Sequence, residues 1–383
     1  MIPFNKPFIV GNELKYIEEA VLSGKISGDG IYTKKCNAFF EEKYGFGKVL
    51  LTTSCTDALE MAAILCDLKE GDEVIVPSYT FVSSANAFAL RGAKIIFADS
   101  YLDNPNIDPA AIEELITEKT KVIVPVHYAG FACDMEAIMN IARKHSLFVV
   151  EDAAQAIDSY YTFPNGTKKA LGSIGDLGAF SFHETKNIIA GEGGMLTINN
   201  PKFNERAEII REKGTNRSAF FRGEVNKYGW VDLGSSFLPS EIISAFLFGQ
   251  LEHLNTIQNK RKKIWDNYYA GLINLETEGR ISLPQIPKYA TNNGHMFFLV
   301  CKSLDERTKL ISHLKDKGIL AVFHYLSLNK SDYFLKNNAE ITIPNSDYFT
   351  DCLLRLPFYF ELSSFDQNYI IQSIQDFFQS QNN

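Results

Sequence analysis

The chain has 383 residues, more than one hydrophobic core usually holds, and its 45% hydrophobic and 22% charged content is ordinary for a globular protein, so two domains are expected. A formal net charge of −8 with no run of like charges gives no field for a polyanion, which argues against nucleic acid as a partner. Neither a signal-like N-terminus nor an apolar run of about 18 residues is present, and six cysteines lie scattered without C-x-x-C spacing, so the expectation is a cytoplasmic protein with reduced thiols, no membrane partner and no metal.

Along the chain, β-rich apolar segments alternate with helical patterns. "KVLLT" precedes "CTDALEMAAILCDL", "EVIVP" precedes "SSANAFALRG", "KIIFA" precedes "PAAIEELITE", "KVIVPV" precedes "MEAIMNIARKH", and "LFVVEDAA" follows. Repeats of this kind predict a parallel sheet covered by helices. From "PSEIISAFLFGQLEHLNTIQNKRKKIWDNYYAGL" onward the pattern predicts one long helix, then short strands such as "HMFFLVCKS" beside the helical "ERTKLISHLKDKG". This is a smaller second α/β domain, with the division placed between 1–245 and 246–383. No Pro/Ser-rich linker separates the two, so a cleft between them is the expected ligand site.

In open parallel sheets ligands sit beyond the carboxyl ends of the strands. The residues there are Ser54 to Thr56, Pro77 to Phe81, His127 to Gly130 and Glu151 to Gln155. In "TTSCTDAL" small hydroxyl residues lead a strand into a helix, whose free N–H groups attract a phosphate; plain N-capping explains the same residues. "PSYTF" offers Tyr79 and Phe81, either to stack on a flat cofactor or to fill core. Asp152, ending an apolar strand, suits a protonated ring nitrogen as well as a turn cap.

"SFHETKNIIAGEGG" sets Lys186 between a strand and a glycine-rich turn. A lysine in a confined site has a lowered pKa and forms Schiff bases; a solvated loop lysine is the alternative. His183 beside it is a ligand contact or a structural histidine. Taken together, a phosphate cradle, an aromatic, an aspartate and a lysine are what pyridoxal 5′-phosphate requires.

On these residues, and on "GDEVIVPSYTFVSSANAFALRGAKI", "KVIVPVHYAG", "FSFHETKN", "ERAEIIREKGTNRS" and "AVFHY", the chain resembles the DegT/DnrJ/EryC1/StrS sugar aminotransferases over nearly its whole length. The resemblance implies a fold-type I pyridoxal phosphate enzyme: a large domain with a mostly parallel seven-stranded sheet plus a smaller C-terminal α/β domain. It implies that Lys186 is the Schiff-base lysine and that Asp152 pairs with the pyridine nitrogen. Gln155 would lie near the ring hydroxyl, Phe81 would stack on the ring, and Ser54, Cys55, Thr56 and Ser181 would hold the phosphate. It further implies a homodimer with shared active sites, Ser236 in "GSSFLP" standing where relatives send an asparagine to the neighbouring phosphate.

His183, His324 and Tyr325 fall to the substrate by the same resemblance. Lys213, Arg217 and Arg222 form a cationic loop that could clamp a diphosphate or simply be solvated. Ser327 and Asn329 in "FHYLSLNKS" replace a proline and a histidine of close relatives. The branch it most resembles aminates C4 of dTDP-4-keto-6-deoxy-D-glucose with L-glutamate, passing through pyridoxamine phosphate, to give the galactose-configured amine. Alternatives are a sister enzyme giving the glucose-configured amine or acting at C3, and a non-catalytic sugar-nucleotide binding protein on the same fold. A related branch that dehydrates sugars carries histidine at the lysine position, and Lys186 argues against it.

Overall fold

The structure is a computed structural model that describes residues 1–380. Seven strands form the main sheet: β1 (Lys48–Thr52), β2 (Glu73–Pro77), β3 (Lys94–Ala98), β4 (Thr120–Ile123), β5 (Phe148–Asp152), β8 (Leu177–Ser181) and β9 (Gly194–Ile198). Their order is β1-β9-β8-β5-β4-β2-β3. The pairings β2–β3, β2–β4, β4–β5 and β5–β8 are parallel, and only β9 runs against its neighbours β1 and β8. The mostly parallel seven-stranded sheet expected from the sequence is present. A short hairpin of β6 (Tyr160–Thr162) and β7 (Lys168–Ala170) stands apart from it.

Strand pleating sends alternate residues to opposite faces, and both faces are covered. Val49, Leu51, Ile75, Ile123 and Val149 pack on one side against Cys36, Phe40, Ile138 and Ala142 from the helices Ile31–Tyr44 and Met135–His145. Leu50, Val74, Val76, Val122 and Val150 face the other side, against Leu59, Ala62, Phe88 and Ile210 from the helices Cys55–Leu65, Ser83–Ala89 and Asn204–Arg211. This two-sided burial is why the strands read as continuous apolar runs.

A second core gathers around the antiparallel pair β10 (Phe298–Val300) and β11 (Leu353–Arg355), with Tyr268, Leu310, Leu314, Ile370, Ile374 and Phe378 from three helices. The single long helix expected from residue 239 onward is instead two, Glu241–Glu252 and Leu254–Thr277, meeting at His253 with φ −106° and ψ 12°. The cause is a change of partner. The first helix buries Leu247 and Leu251 against the large core and Ala245 against Ala20 and Tyr32, whereas the second starts in the large core with Leu254 and Ile257 and ends in the small core with Ile264, Trp265 and Tyr268. The N-terminal segment touches both regions: Ile2 bonds to Gly318 and Leu320 and the Phe4 carbonyl accepts from Phe358, while Phe8 packs in the large core.

Among the described residues no helix is long and apolar enough to cross a membrane, and no group of three or more His, Cys, Asp and Glu side chains is placed to hold a metal ion. All six cysteines are free thiols.

Candidate active site

The carboxyl ends of β1, β2, β5 and β8 open into one cavity of about 530 Å³, roofed by His295, Met296, His324, Tyr325, Arg355 and Phe358 from the small core. Eight of the sequence-predicted cofactor residues line it: Ser54, Cys55, Thr56, Phe81, Asp152, Gln155, Ser181 and Lys186. His183, His324 and Tyr325 line it too.

After β1 the chain turns into the helix Cys55–Leu65 with Ser54 as its N-cap, the hydroxyl accepting from the Asp57 N–H at 3.0 Å. The capping reading of Ser54 therefore holds, and it coexists with a free donor set. The Cys55 and Thr56 N–H groups, in the first turn, have no intrahelical acceptor and lie at the positive end of the helix dipole. The Thr56 hydroxyl meets that of Ser83 at 2.8 Å. At the start of β9, a Cβ on Gly194 would come within 2.3 Å of the Ser54 carbonyl carbon, so the "GEGG" turn allows that strand to press against the cradle.

Asp152 ends β5 with its side chain buried. One carboxylate oxygen accepts from the Ser84 hydroxyl at 2.6 Å, the other from the Ala154 N–H at 3.1 Å. These bonds fix the orientation of the carboxylate.

Lys186 sits half-buried in the turn after β8, its own N–H bonded to the His183 carbonyl at 2.9 Å. Its amine makes no hydrogen bond or ion pair with any described residue. Burial holds the ammonium below the ordinary lysine range; the nearby Cys55 and Asp152 oppose that shift, and Arg355 adds to it.

The turn is pinned by the next residue. Asn187 is buried, its amide nitrogen donating to Gln258 and to the Asn293 carbonyl at 2.9 Å each, and its oxygen 2.8 Å from His295 Nδ1. Because both amide protons have acceptors, the oxygen must accept, so His295 carries its proton on Nδ1. Burial keeps His295 neutral, with the cations Lys186, Arg261 and Arg355 acting in the same direction.

Gln155 spans the other wall, accepting from the Ala129 N–H at 2.7 Å and donating to the Tyr325 hydroxyl at 2.9 Å. Phe81 is 56% exposed, with its ring 6.2 Å from that of Tyr325, so it is a free face rather than core. Tyr79, by contrast, is fully buried among Tyr128, Tyr325 and Phe349. Ser181 is buried at the end of β8, and His183 bonds to Thr185 at 2.9 Å.

Lys213, Arg217, Arg222 and Ser236 are elsewhere in this chain. They line a second cavity of about 920 Å³ with Lys25, Asp29 and Arg211. Arg222 is paired with Glu208 at 2.9 Å and Glu224 at 2.7 Å, and Arg217 lies 4.0 Å from Glu212. The structure thus does not bring the expected diphosphate clamp to Lys186 of the same chain. Ser327 and Asn329 face inward: Ser327 bonds Thr350, and Asn329 accepts from Ser78 at 2.6 Å, so neither lines the cavity.

Sequence reasoning did not single out Ser84, Tyr128, Asn187, His295 or Arg355. Arg355 stands out, a guanidinium in the cavity that among the described residues has no carboxylate partner and a buried Nε without an acceptor. Its Nη2 donates to the Phe323 carbonyl at 3.3 Å, and the guanidinium lies over the Phe4 ring at 4.7 Å.

This donor set fits a flat phosphorylated aldehyde: an anion cradle at a helix N-terminus, a fixed carboxylate and an unpaired amine share one cavity. The relatives agree. The model of the DegT/DnrJ/EryC1/StrS aminotransferase family matches residues 7–375. The spore coat polysaccharide biosynthesis protein SpsC of Bacillus subtilis is 31% identical over 98% of this chain and 96% of its own. GDP-perosamine synthase of Escherichia coli O157:H7 is 33% identical over 83% of each. Among solved structures, Spr1654 of Streptococcus pneumoniae in its PMP form superposes with a TM-score of 0.91 at 26% identity, covering 99% of this chain and 100% of that one, and it is also known in a PLP form.

Fold and site define a pyridoxal phosphate enzyme of fold type I. The chain belongs to the DegT/DnrJ/EryC1/StrS aminotransferase family, whose members transfer amino groups to sugars using that cofactor.

Proposed function

We propose that the protein aminates the C4 ketone of dTDP-4-keto-6-deoxy-D-glucose with L-glutamate as donor, giving dTDP-4-amino-4,6-dideoxy-D-galactose for a cell-surface polysaccharide. The observation that carries the chemistry is the unpaired Lys186 amine facing the same cavity as the bonded Asp152 carboxylate. The choice of sugar is supported by the sequence match in "PSYTFVSSANAFALRGAKI" and "AVFHY".

In this reading the Cys55 and Thr56 N–H groups with Ser54, Thr56 and Ser181 hold the cofactor phosphate, Phe81 covers the ring, and Gln155 lies by its hydroxyl. When bound, the cofactor supplies an electron sink for the pair left behind as a proton departs from carbon. Asp152 keeps the pyridine nitrogen protonated, which makes that sink effective. Lys186 would tether the aldehyde; once released, its amine, whose pKa burial lowers, would move a proton between the substrate carbon and the cofactor. The small-core roof excludes water while this happens.

The enzyme is proposed to be a cytoplasmic homodimer, divided at 245/246 into a large cofactor domain and a small domain. A partner supplies Ser236 to each phosphate site, and Lys213, Arg217 and Arg222 reach the diphosphate of the partner's substrate. Exposed Phe221, Tyr228, Trp230, Val231 and Leu233 beside the second cavity support such an interface. A second reading is favoured by the relative named GDP-perosamine synthase: a GDP-linked 4-keto sugar as acceptor.

The test is incubation of the enzyme with glutamate and either dTDP- or GDP-linked 4-keto-6-deoxy sugar, followed by NMR of the product. An axial C4 amine from the dTDP sugar is expected; an equatorial amine, a C3 amine or preference for GDP would replace the proposed product. Lys186→Ala is expected to abolish turnover, and Asp152→Asn to lower the single-turnover rate by at least about 100-fold. An unchanged Asp152→Asn rate would remove that carboxylate from the mechanism.

A further inference from the structure

We infer that Arg355, laid over the ring of Phe4, is the receptor for a carboxylate of the amino donor. That a donor exists rests on the transaminase reading above; that the guanidinium takes a carboxylate does not.

Apart from histidines, the charged side chains lining the cavity are Asp152, Lys186, Glu192 and Arg355. Both carboxylates are directed elsewhere: Asp152 accepts from Ser84 and from the Ala154 N–H, and Glu192 lies 3.7 Å from His183. Of the Arg355 nitrogens, Nε is closed off without an acceptor and Nη2 donates to the Phe323 carbonyl at 3.3 Å. Among the described residues Nη1 has no acceptor, and unlike Nε it is not closed off. Nη1 and the second Nη2 proton form the fork that a carboxylate takes with both oxygens. Burial works against the guanidinium charge, and the groups set against burial are the phenols of Tyr128, Tyr325 and Tyr79 rather than a carboxylate. The counter-ion is left for a ligand to bring.

Arg261 is the contrast. It too lies over a phenylalanine, Phe358, at 4.9 Å, but it is fully buried outside the cavity and spends Nε and Nη2 on the Gly294 and His295 carbonyls at 2.9 and 2.6 Å. Its donors hold the fold, whereas those of Arg355 are kept free.

Arg355 is also held in place. Its N–H donates to the Val322 carbonyl at 2.8 Å, its carbonyl accepts from the Val322 N–H at 3.1 Å, and it pairs with Phe298 across β10 and β11. The Phe4 ring lies 4.7 Å from the guanidinium and itself lines the cavity, anchored by the bond from the Phe358 N–H to the Phe4 carbonyl at 3.0 Å. A cation–π contact holds the guanidinium by its face and leaves the edge, where the N–H groups point, for a ligand.

The two substrates differ beside the reacting carbon. A donor amino acid carries a carboxylate on the carbon that gives up its amine, whereas a keto sugar has neutral neighbours there and its charge lies beyond the ring on the diphosphate. Arg355 is close enough to Lys186 to disfavour its ammonium, which puts the guanidinium on the reacting side of the cavity. It serves the donor half of the reaction and not the sugar half.

In the holoenzyme the halves are read separately: loss of the cofactor's visible band with glutamate, and its return with the keto sugar in protein loaded with pyridoxamine phosphate. Arg355→Met is expected to slow the glutamate half, at low substrate, by about 100-fold or more and the sugar half by less than about fivefold, with Arg355→Lys intermediate. Equal losses, or a loss confined to the sugar, would overturn the inference. 4-Aminobutyrate and L-2-aminobutyrate each keep one of glutamate's two carboxylates, and Arg355→Met is expected to slow the one whose carboxylate Arg355 takes; if it slows neither, the inference falls. Phe4→Leu is expected to raise the glutamate Kd about three- to tenfold, with Phe4→Tyr restoring it, and an unchanged Kd would remove Phe4 from the site.

A measurement on the parent needs no variant. Glutarate, which has both carboxylates and no amine, is expected to shield Arg355 from phenylglyoxal, read from peptides by mass spectrometry; equal modification with and without glutarate would overturn the inference. Should the parent react with no amino acid, the transaminase reading falls while the glutarate result still decides what Arg355 holds.

Discussion

Lys186 and Asp152 are both charged groups withdrawn from water, yet they are treated differently. Asp152 is compensated by two hydrogen bonds, whereas the Lys186 amine has no hydrogen-bond partner among the described residues, so its charge carries a desolvation cost that the nearby Cys55 and Asp152 only partly offset. Its folded-state pKa lies below the ordinary 10.5, so the penalty is full below the folded pKa and disappears as pH approaches 10.5, where the unfolded chain also loses the proton. Lys186→Met in the cofactor-free protein is therefore expected to raise Tm at pH 7, with the gap to the parent closing toward pH 10.5. Thermal melts across that range check this; a variant less stable at pH 7, or a gap independent of pH, would mean that the amine is well solvated.

At the scale of elements, the turn that carries Lys186 is oriented from outside itself. Asn187 bonds to Gln258 of the helix Leu254–Thr277 and to the Asn293 carbonyl, and it sets the His295 tautomer, while Asn293 also donates to the carbonyls of Gln155 and Ile157. Removing Asn187 leaves several buried polar groups unpaired. Asn187→Ala is expected to cost about 2–4 kcal/mol in denaturant unfolding and to lower kcat more than it raises KM, since the amine loses its placement; a loss under 1 kcal/mol with unchanged kcat would contradict this. The strands were legible to the residue at β1, β2 and β3 because two-sided burial forces unbroken β-branched and apolar runs. The break at His253 was not, because both helices have good helical sequence and only the change of core partner redirects the chain. Lys186 and Asp152 were legible because one follows a strand and the other ends one. Ser84, Asn187, His295 and Arg355 were not, since their meeting depends on packing between segments more than 65 residues apart, as the Ser84–Asp152 bond is.

For the whole molecule, the cationic loop shows what a sequence cannot rank. Lys213, Arg217 and Arg222 looked like one clamp, but within this chain they border the second cavity, and Arg222 is held by two glutamates. With Phe221 69% exposed and Trp230 81% exposed beside them, this surface suits a second copy of the chain. Sedimentation is expected to give a dimer for the parent and a monomer with little activity for Phe221→Glu combined with Trp230→Glu. A fully active parent monomer would remove the shared-site arrangement and, with it, the cofactor role of Ser236.

The most direct measurement of the central assignment is chemical. The holoenzyme is reduced with borohydride, digested, and its peptides are weighed and sequenced by mass spectrometry. The expected result is one pyridoxyl-modified lysine, Lys186, with no modification in Lys186→Ala; a modified lysine elsewhere, or none in a protein that carries the cofactor's visible band, would contradict it.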